Sequence, residues 1–329
     1  MIKVHALGVT TPTGFSEQVR SIDAAGLDGI FVTDHLFISH GTPRREAISG
    51  GDPFVKLAVA GTVSDRLILG TSVVNIGLAH PALALRSFIE LAEQFGGERV
   101  LAGIGAGWNR EEFDALGMDF PPLSERMDRL EDAAALAREL FDTGFAERGG
   151  EYVAARELSL APPPSPPPHL MFGGGSDRLL DIAGRHADVL DLNGSSRRLK
   201  LGGLHPALRD LARRFTTTVD DLEESVGRVQ QSAVAAGRKT NAVEFSVLVN
   251  AVRFCAEKEV EAVEAELCEQ AGIDRQSLAE CPYVFIGSAE RMRAQLAERA
   301  ERVRLGHLIL ATDATDLMTR FHQDVVAAI

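Results

Sequence analysis

Residues 15–35, FSEQVRSIDAAGLDGIFVTDH, hold one full repeat of the pattern that decides the fold. Val19, Ile22 and Ala25 recur at helical spacing, so the first half is a helix with one apolar face. Residues 29–33 form a short apolar run, the kind buried on both faces in a parallel sheet. Asp34 and His35 close the run with polar side chains. Working outward, the same order of buried strand and amphipathic helix recurs. Strands are expected at 2–8, 29–33, 67–74, 99–104, 169–172, 189–192, 242–249 and 307–311. Helices are expected at 15–25, 53–63, 82–94, 124–141, 177–187, 219–236, 257–270, 289–300 and 316–328. A weak hairpin over 147–160, a polyproline crossing over 161–168 and a polar excursion over 193–218 interrupt the alternation.

Strand–helix alternation along a whole chain implies a parallel sheet covered by helices. Eight units favour an α/β fold of one closed (β/α)8 TIM barrel, with insertions after several strands, over an open doubly wound sheet. The 329 residues exceed the roughly 250 of a plain barrel. One domain over 1–329 is therefore expected, with the excess in the hairpin and in late inserts at 193–218 and 250–287 that would roof the pocket.

A net charge of −13 opposes a phosphate backbone and argues against nucleic acid as a partner. No apolar run approaches the ~18 residues of a membrane span, and the first residues read as a strand rather than a secretory leader. Three dispersed cysteines without Cys-x-x-Cys fit a reducing, cytoplasmic location.

In a (β/α)8 barrel the chemistry gathers at the C-terminal strand ends. The side chains at those tips are Thr10 and Thr11, Asp34 and His35, Ser72, Val73 and Asn75, then Gly105, Gly107 and Trp108. Gly173, Gly174, Gly175 and Ser176 follow strand five, Asn193 and Gly194 strand six, and Asn250 strand seven. His35 is the histidine in such a position; it either assists proton transfer or caps a loop. Adjacent residues leave a strand in opposite directions, so Asp34 and His35 do not make a dyad by themselves. Gly103-Ile-Gly105-Ala-Gly107-Trp108 lacks the third glycine of a dinucleotide fingerprint. Gly173–Ser176, followed by a helix, is either an anion cradle or a plain turn. Glu111-Glu112 reads as a solvated helix start, with an acid pair as the alternative. No ligand spacing suggests a metal, and Gly-x-Ser-x-Gly is absent.

Taken in order, these blocks resemble the luciferase-like flavin and deazaflavin oxidoreductases over nearly the whole chain. The resemblance rests on 25–35, on Leu69-Gly70-Thr71-Ser72-Val73-Val74, on His80-Pro81-Ala82 and on 96–108. It continues through Glu125-Arg126-Met127-Asp128-Arg129-Leu130, Phe172-Gly173-Gly174-Gly175 and Ala187-Asp188-Val189. The late block Cys281-Pro282-Tyr283-Val284-Phe285-Ile286-Gly287-Ser288 is similar to the branch that uses coenzyme F420.

The resemblance implies a barrel that holds F420, or alternatively FMN, at its mouth. It implies hydride transfer between the deazaflavin and a small, hydrophobic organic substrate; the alternative is a monooxygenase using reduced FMN, O2 and a separate reductase. His35 and Trp108 would carry the chemistry. Asp34, Thr71, Ser72, Val73, Asn75, Gly105, Gly107 and Gly173–Ser176 would hold the cofactor, with Ser72-Val73 as a non-prolyl cis peptide behind the ring. Arg197, Arg198 and Lys200 either meet an anionic cofactor tail or form a solvated loop. Trp108 stands where sugar-phosphate dehydrogenases of this family carry a glutamate, which argues against glucose 6-phosphate. A homodimer is also implied.

Overall fold

The computed structural model describes residues 1–8, 14–38, 48–160, 162, 164–194, 214–312 and 314–329. Eight parallel strands form a closed barrel: β1 (Lys3–Leu7), β2 (Gly29–Val32), β3 (Ile68–Thr71), β4 (Val100–Gly105), β5 (His169–Gly174), β6 (Val189–Leu192), β7 (Glu244–Val249) and β8 (Leu305–Leu310). Each pairs with the next, and β8 returns to β1 through Lys3 opposite His307 and His5 opposite Ile309.

The helices are α1 (Phe15–Ala24), α2 (Pro53–Val63), α3 (Pro81–Phe95), α4 (Arg110–Ala115), α5 (Leu123–Thr143), α6 (Asp177–His186), α7 (Val219–Ala235), α8 (Val260–Ala271), α9 (Arg275–Glu280), α10 (Ala289–Val303) and α11 (Thr315–Phe321). Their starts follow local chemistry. Asp52 accepts from Phe54 and Val55 N–H ahead of Pro53, and Thr218 with Asp221 closes a capping box on α7.

Every strand alternates between two apolar clusters. Phe31, Leu101, Met171, Val189 and Ile309 fill the barrel lumen, with Leu7, Ile68 and Leu248 against them. Their neighbours, such as Ile30, Ala102, Phe172 and Leu190, face the helices. Residues two positions further along a strand share a face. Gly105, Gly173 and Asp191 therefore continue the lumen face toward the C-terminal mouth.

The expected eight strands are all present, with ends shifted by one or two residues at several of them and larger changes at strands three and eight. Strand three stops at Thr71, and Val74–Asn75 pairs separately with β4 at Ile104 and Gly105, because the chain turns at Ser72-Val73. Strand eight begins at Leu305 rather than His307; Arg304, at φ 57°, carries α10 straight into it. The hairpin is real, as Phe145–Gly149 against Ala154–Ser159. The insert after β7 contains a small parallel sheet, Ala251–Phe254 beside Val284–Gly287. Tyr283 ties it to the barrel by donating its hydroxyl to the Leu192 carbonyl at 2.9 Å. Most of the 193–218 excursion lies outside the described residues, as do Thr10, Thr11, Arg197, Arg198 and Lys200.

Candidate functional site

The C-terminal mouth gathers its chemistry from β2, β3 and β4. β2 ends at Val32, and the chain then presents Asp34 and His35. The His35 partner is Glu112, not Asp34. Glu112 is 1% exposed. Its Oε1 lies 3.0 Å from His35 Nδ1 and also accepts the Leu36 N–H at 2.9 Å. A carboxylate there makes Nδ1 the protonated nitrogen and leaves Nε2 for a ligand. The solvated helix start expected at Glu111-Glu112 is thus corrected for Glu112. Asn109 caps the six-residue helix α4 by accepting from Glu111 N–H, and the first turn directs Glu112 inward beside buried Phe113. Helical spacing gave no signal for it, because Trp108 lies before the Asn109 N-cap and outside the helix.

Trp108 packs on the same histidine, edge to face, with ring centroids 5.7 Å apart. It remains 51% exposed, an apolar plate open at the rim. Arg126 steadies this loop by donating to the Gly107 and Pro121 carbonyls and stacking 4.2 Å from the Phe120 ring centre. Burial, with Arg110 nearby, lowers the Arg126 pKa from its ordinary value.

Asp34 faces the other way, accepting from Asn75 N–H at 2.9 Å. Burial raises its pKa, the Asn75 hydrogen bond opposes that, and the Glu112 charge adds to it. The Ser72-Val73 peptide is cis. Val73 stands between two glycines: a Cβ at Gly105 would meet Val73 Cγ2 at 2.5 Å, and one at Gly173 would meet Cγ1 at 3.5 Å. At Gly107, φ is +74° and a Cβ would lie 2.3 Å from Asn75 Oδ1. These glycines let β4 and β5 close around Val73 and Asn75, leaving a smooth floor that suits a flat ring.

Thr71 lies apart from this group. Its side chain is fully buried and donates to the Gly103 carbonyl at 2.7 Å, so it joins β3 to β4 rather than facing the mouth. Gly174 has φ 151°, and Gly175 packs so tightly on the loop after β6 that a Cβ would lie 2.2 Å from the Asn193 carbonyl. Ser176 is the N-cap of α6, accepting from Leu179 N–H at 3.4 Å. A helix start leaves its first N–H groups without intrahelical acceptors, which makes it a place to hold an anion; on α6 Ser176 already takes that of Leu179. Floor and cradle together fit a planar ring carrying a phosphate.

Among the described residues no group of three or more potential ligands gathers for a metal, and no helix is long and apolar enough to cross a membrane.

A closed parallel barrel with a histidine–carboxylate pair at its C-terminal rim defines the class as a (β/α)8 barrel with an enzyme-like mouth. The sequence matches the luciferase-like monooxygenase family over residues 4–324, and the chain belongs to that family. Among curated relatives, an F420-dependent glucose-6-phosphate dehydrogenase of Nakamurella multipartita is 29% identical over 217 residues, covering 64% of this chain and 61% of the relative. The chain thus spans about three fifths of that relative's length. Among solved structures, an F420-dependent secondary alcohol dehydrogenase in complex with an F420-acetone adduct superposes with a TM-score of 0.74 at 18% identity, covering 99% of this chain and 98% of that one. A riboflavin lyase with modified FMN and riboflavin superposes at 0.76 and 14% identity, covering 100% and 91%. At these identities the structural likeness speaks to the fold.

Proposed function

We propose that the protein is an F420-dependent oxidoreductase acting on a small organic substrate with an apolar face. The observation that carries the reading is the His35–Glu112 pair under Trp108, set beside the glycine-lined floor at Val73. The names of the relatives support the cofactor.

F420, when bound, supplies a ring carbon that exchanges hydride with the substrate. Val73, Gly105 and Gly173 would support the flat ring, with Ser72, Asn75, Asp34 and Gly107 at its edge. Gly174, Gly175 and Ser176 would hold its phosphate at the α6 N-terminus. His35, held at Nδ1 by Glu112, presents Nε2 to the substrate oxygen. It takes the hydroxyl proton when an alcohol is oxidised and returns it when a carbonyl is reduced. Glu112 keeps the imidazole oriented. Trp108 excludes water from one side and favours an apolar substrate over glucose 6-phosphate.

A homodimer and a cytoplasmic location complete the reading. Val55 on α2 and Leu83 on α3 are exposed apolar side chains, and the three cysteines are free. Size exclusion with light scattering tests the dimer.

The FMN reading, reduced flavin with O2 and a separate reductase, is favoured by the riboflavin lyase likeness. Turnover of a secondary-alcohol and ketone panel, with F420 or reduced FMN and with or without O2, separates the two. F420-linked turnover independent of O2 is expected. Turnover only with reduced FMN and O2 rejects the deazaflavin reading.

A further inference from the structure

Four side chains on the β6–β7 side take no part in the chemistry above. Asp191 follows Val189 on the lumen face of β6, and Ser246 stands opposite it on β7. Asn193 and Asn250 leave the tips of the same two strands. Asn193 Oδ1 and Asn250 Oδ1 are buried with no hydrogen-bond partner among the described residues; the Asp191 carboxyl and Ser246 Oγ, close enough for Ser246 to lower that carboxyl, have no hydrogen-bond partner there beyond each other. Asp191 is 1% exposed. Burying polar groups without partners is costly, so packing alone does not favour such a concentration.

The set adjoins the ligand mouth. A Cβ built on Gly173 would lie 3.5 Å from Val73 Cγ1, 3.6 Å from Asn193 Nδ2 and 4.0 Å from Asp191 Cβ. The missing side chain leaves a gap bounded by the floor valine and two members of the set. Burial pushes the Asp191 carboxyl up, while Arg214 and Ser246 draw it partly back. A carboxyl offers acceptors, and one donor when protonated. The Ser246 hydroxyl both donates and accepts, and the two amide oxygens accept. An uncharged group that both donates and accepts, a hydroxyl, complements all four.

We infer that Asp191, Asn193, Ser246 and Asn250 form a hydroxyl-binding patch for alcohol groups of the molecule held at the mouth. The inference rests on the mouth being a ligand site. The hydroxyls belong either to the cofactor's chain or to an alcohol substrate, and the experiment tells these apart.

The variants are Asp191→Leu and Ser246→Ala. A patch kept for a ligand destabilises the ligand-free protein, so leucine raises the thermal midpoint by about 2–4 °C. F420 affinity is read by fluorescence titration, and KM by turnover of cyclohexanol as the probe alcohol. A tenfold or greater loss of F420 affinity assigns the patch to the cofactor. Unchanged affinity with a tenfold higher KM assigns it to the substrate. A midpoint that falls on substitution overturns the inference, as does a Kd and a KM both within twofold of wild type. Should Asp191→Leu fail to fold, Ser246→Ala decides by the same criteria, its midpoint holding or rising. If wild-type protein binds no F420, the deazaflavin reading fails by itself; the patch is then decided by the leucine midpoint and by FMN titration of the same variants.

Discussion

At the N-terminal end of the barrel buried polar groups satisfy one another, whereas at the C-terminal end several are left open. His5 Nε2 lies 2.8 Å from His307 Nδ1, and His307 Nε2 lies 2.9 Å from Glu244. His5 Nδ1, packed beside Gly29, and Arg185 Nε, in the last turn of α6, complete no hydrogen bond. Asp28 and Asp188 repeat one device: each precedes a strand and accepts the N–H of the strand before it, Val4 at 2.7 Å and Leu170 at 2.8 Å. Arg66, Arg99, Arg138 and Arg238 clamp the loop carbonyls between helix and strand. A cavity of about 230 Å³ sits there too, lined by Lys3, Glu98, His169, Asp188, Glu244 and His307 among others. At the C-terminal mouth the glycines clear a floor, and polar atoms wait near it. The contrast follows the division found in barrels generally, one end serving stability and the other function.

Substitutions should therefore separate cleanly by end. The largest effect is expected at the mouth: His35→Ala should lower kcat about 10²–10³-fold in F420-linked turnover, with a thermal midpoint within a few degrees of wild type. Next comes the opposite end. Asp188→Ala leaves Leu170 N–H unpaired, removes the carboxylate beside Arg138 and should cost about 2 kcal/mol in urea unfolding, with KM unchanged. A comparable loss of activity there would blur the division.

Glu112→Gln keeps an acceptor for Leu36 N–H but removes the charge facing His35. It should lower kcat about tenfold, leave KM within twofold and hardly move the midpoint.

The smallest effect is pH-dependent. Burial, helped by Arg185 and Arg138, lowers His186 to about 4. The unfolded chain therefore takes a proton below about 6.5 that the folded state refuses. Stability is full above about 6.5 and falls as pH drops toward about 4. Buried His5 acts in the same direction. Asp34 and Asp191, whose pKa values are raised, act oppositely: they favour the folded state at low pH and lose that contribution as pH rises. His186→Asn should flatten part of the acid limb, read as a midpoint drop from pH 7 to 5 smaller by about 1–3 °C.

Much of this division was legible in the sequence, because period and position carry it. Alternating runs gave the strands, and the strand tips gave His35, Asp34, Val73 and the glycines. What escaped was pairing across elements. Glu112 looks like a surface acid until α4 folds back over His35, 77 residues away in sequence. Thr71 sits in the right block, yet strand alternation turns it outward from the lumen. Asp191 did leave a mark, a charged residue inside a buried four-residue strand, but only Gly173 and Val73 in space give it a neighbour to serve.

The most direct test is an equilibrium titration of wild-type protein with F420, followed by fluorescence and repeated with FMN. A deazaflavin enzyme should bind one F420 per chain saturably, and Gly105→Val, which drives a side chain into Val73, should weaken that binding at least tenfold. Stoichiometric binding of FMN with no affinity for F420 contradicts the assignment.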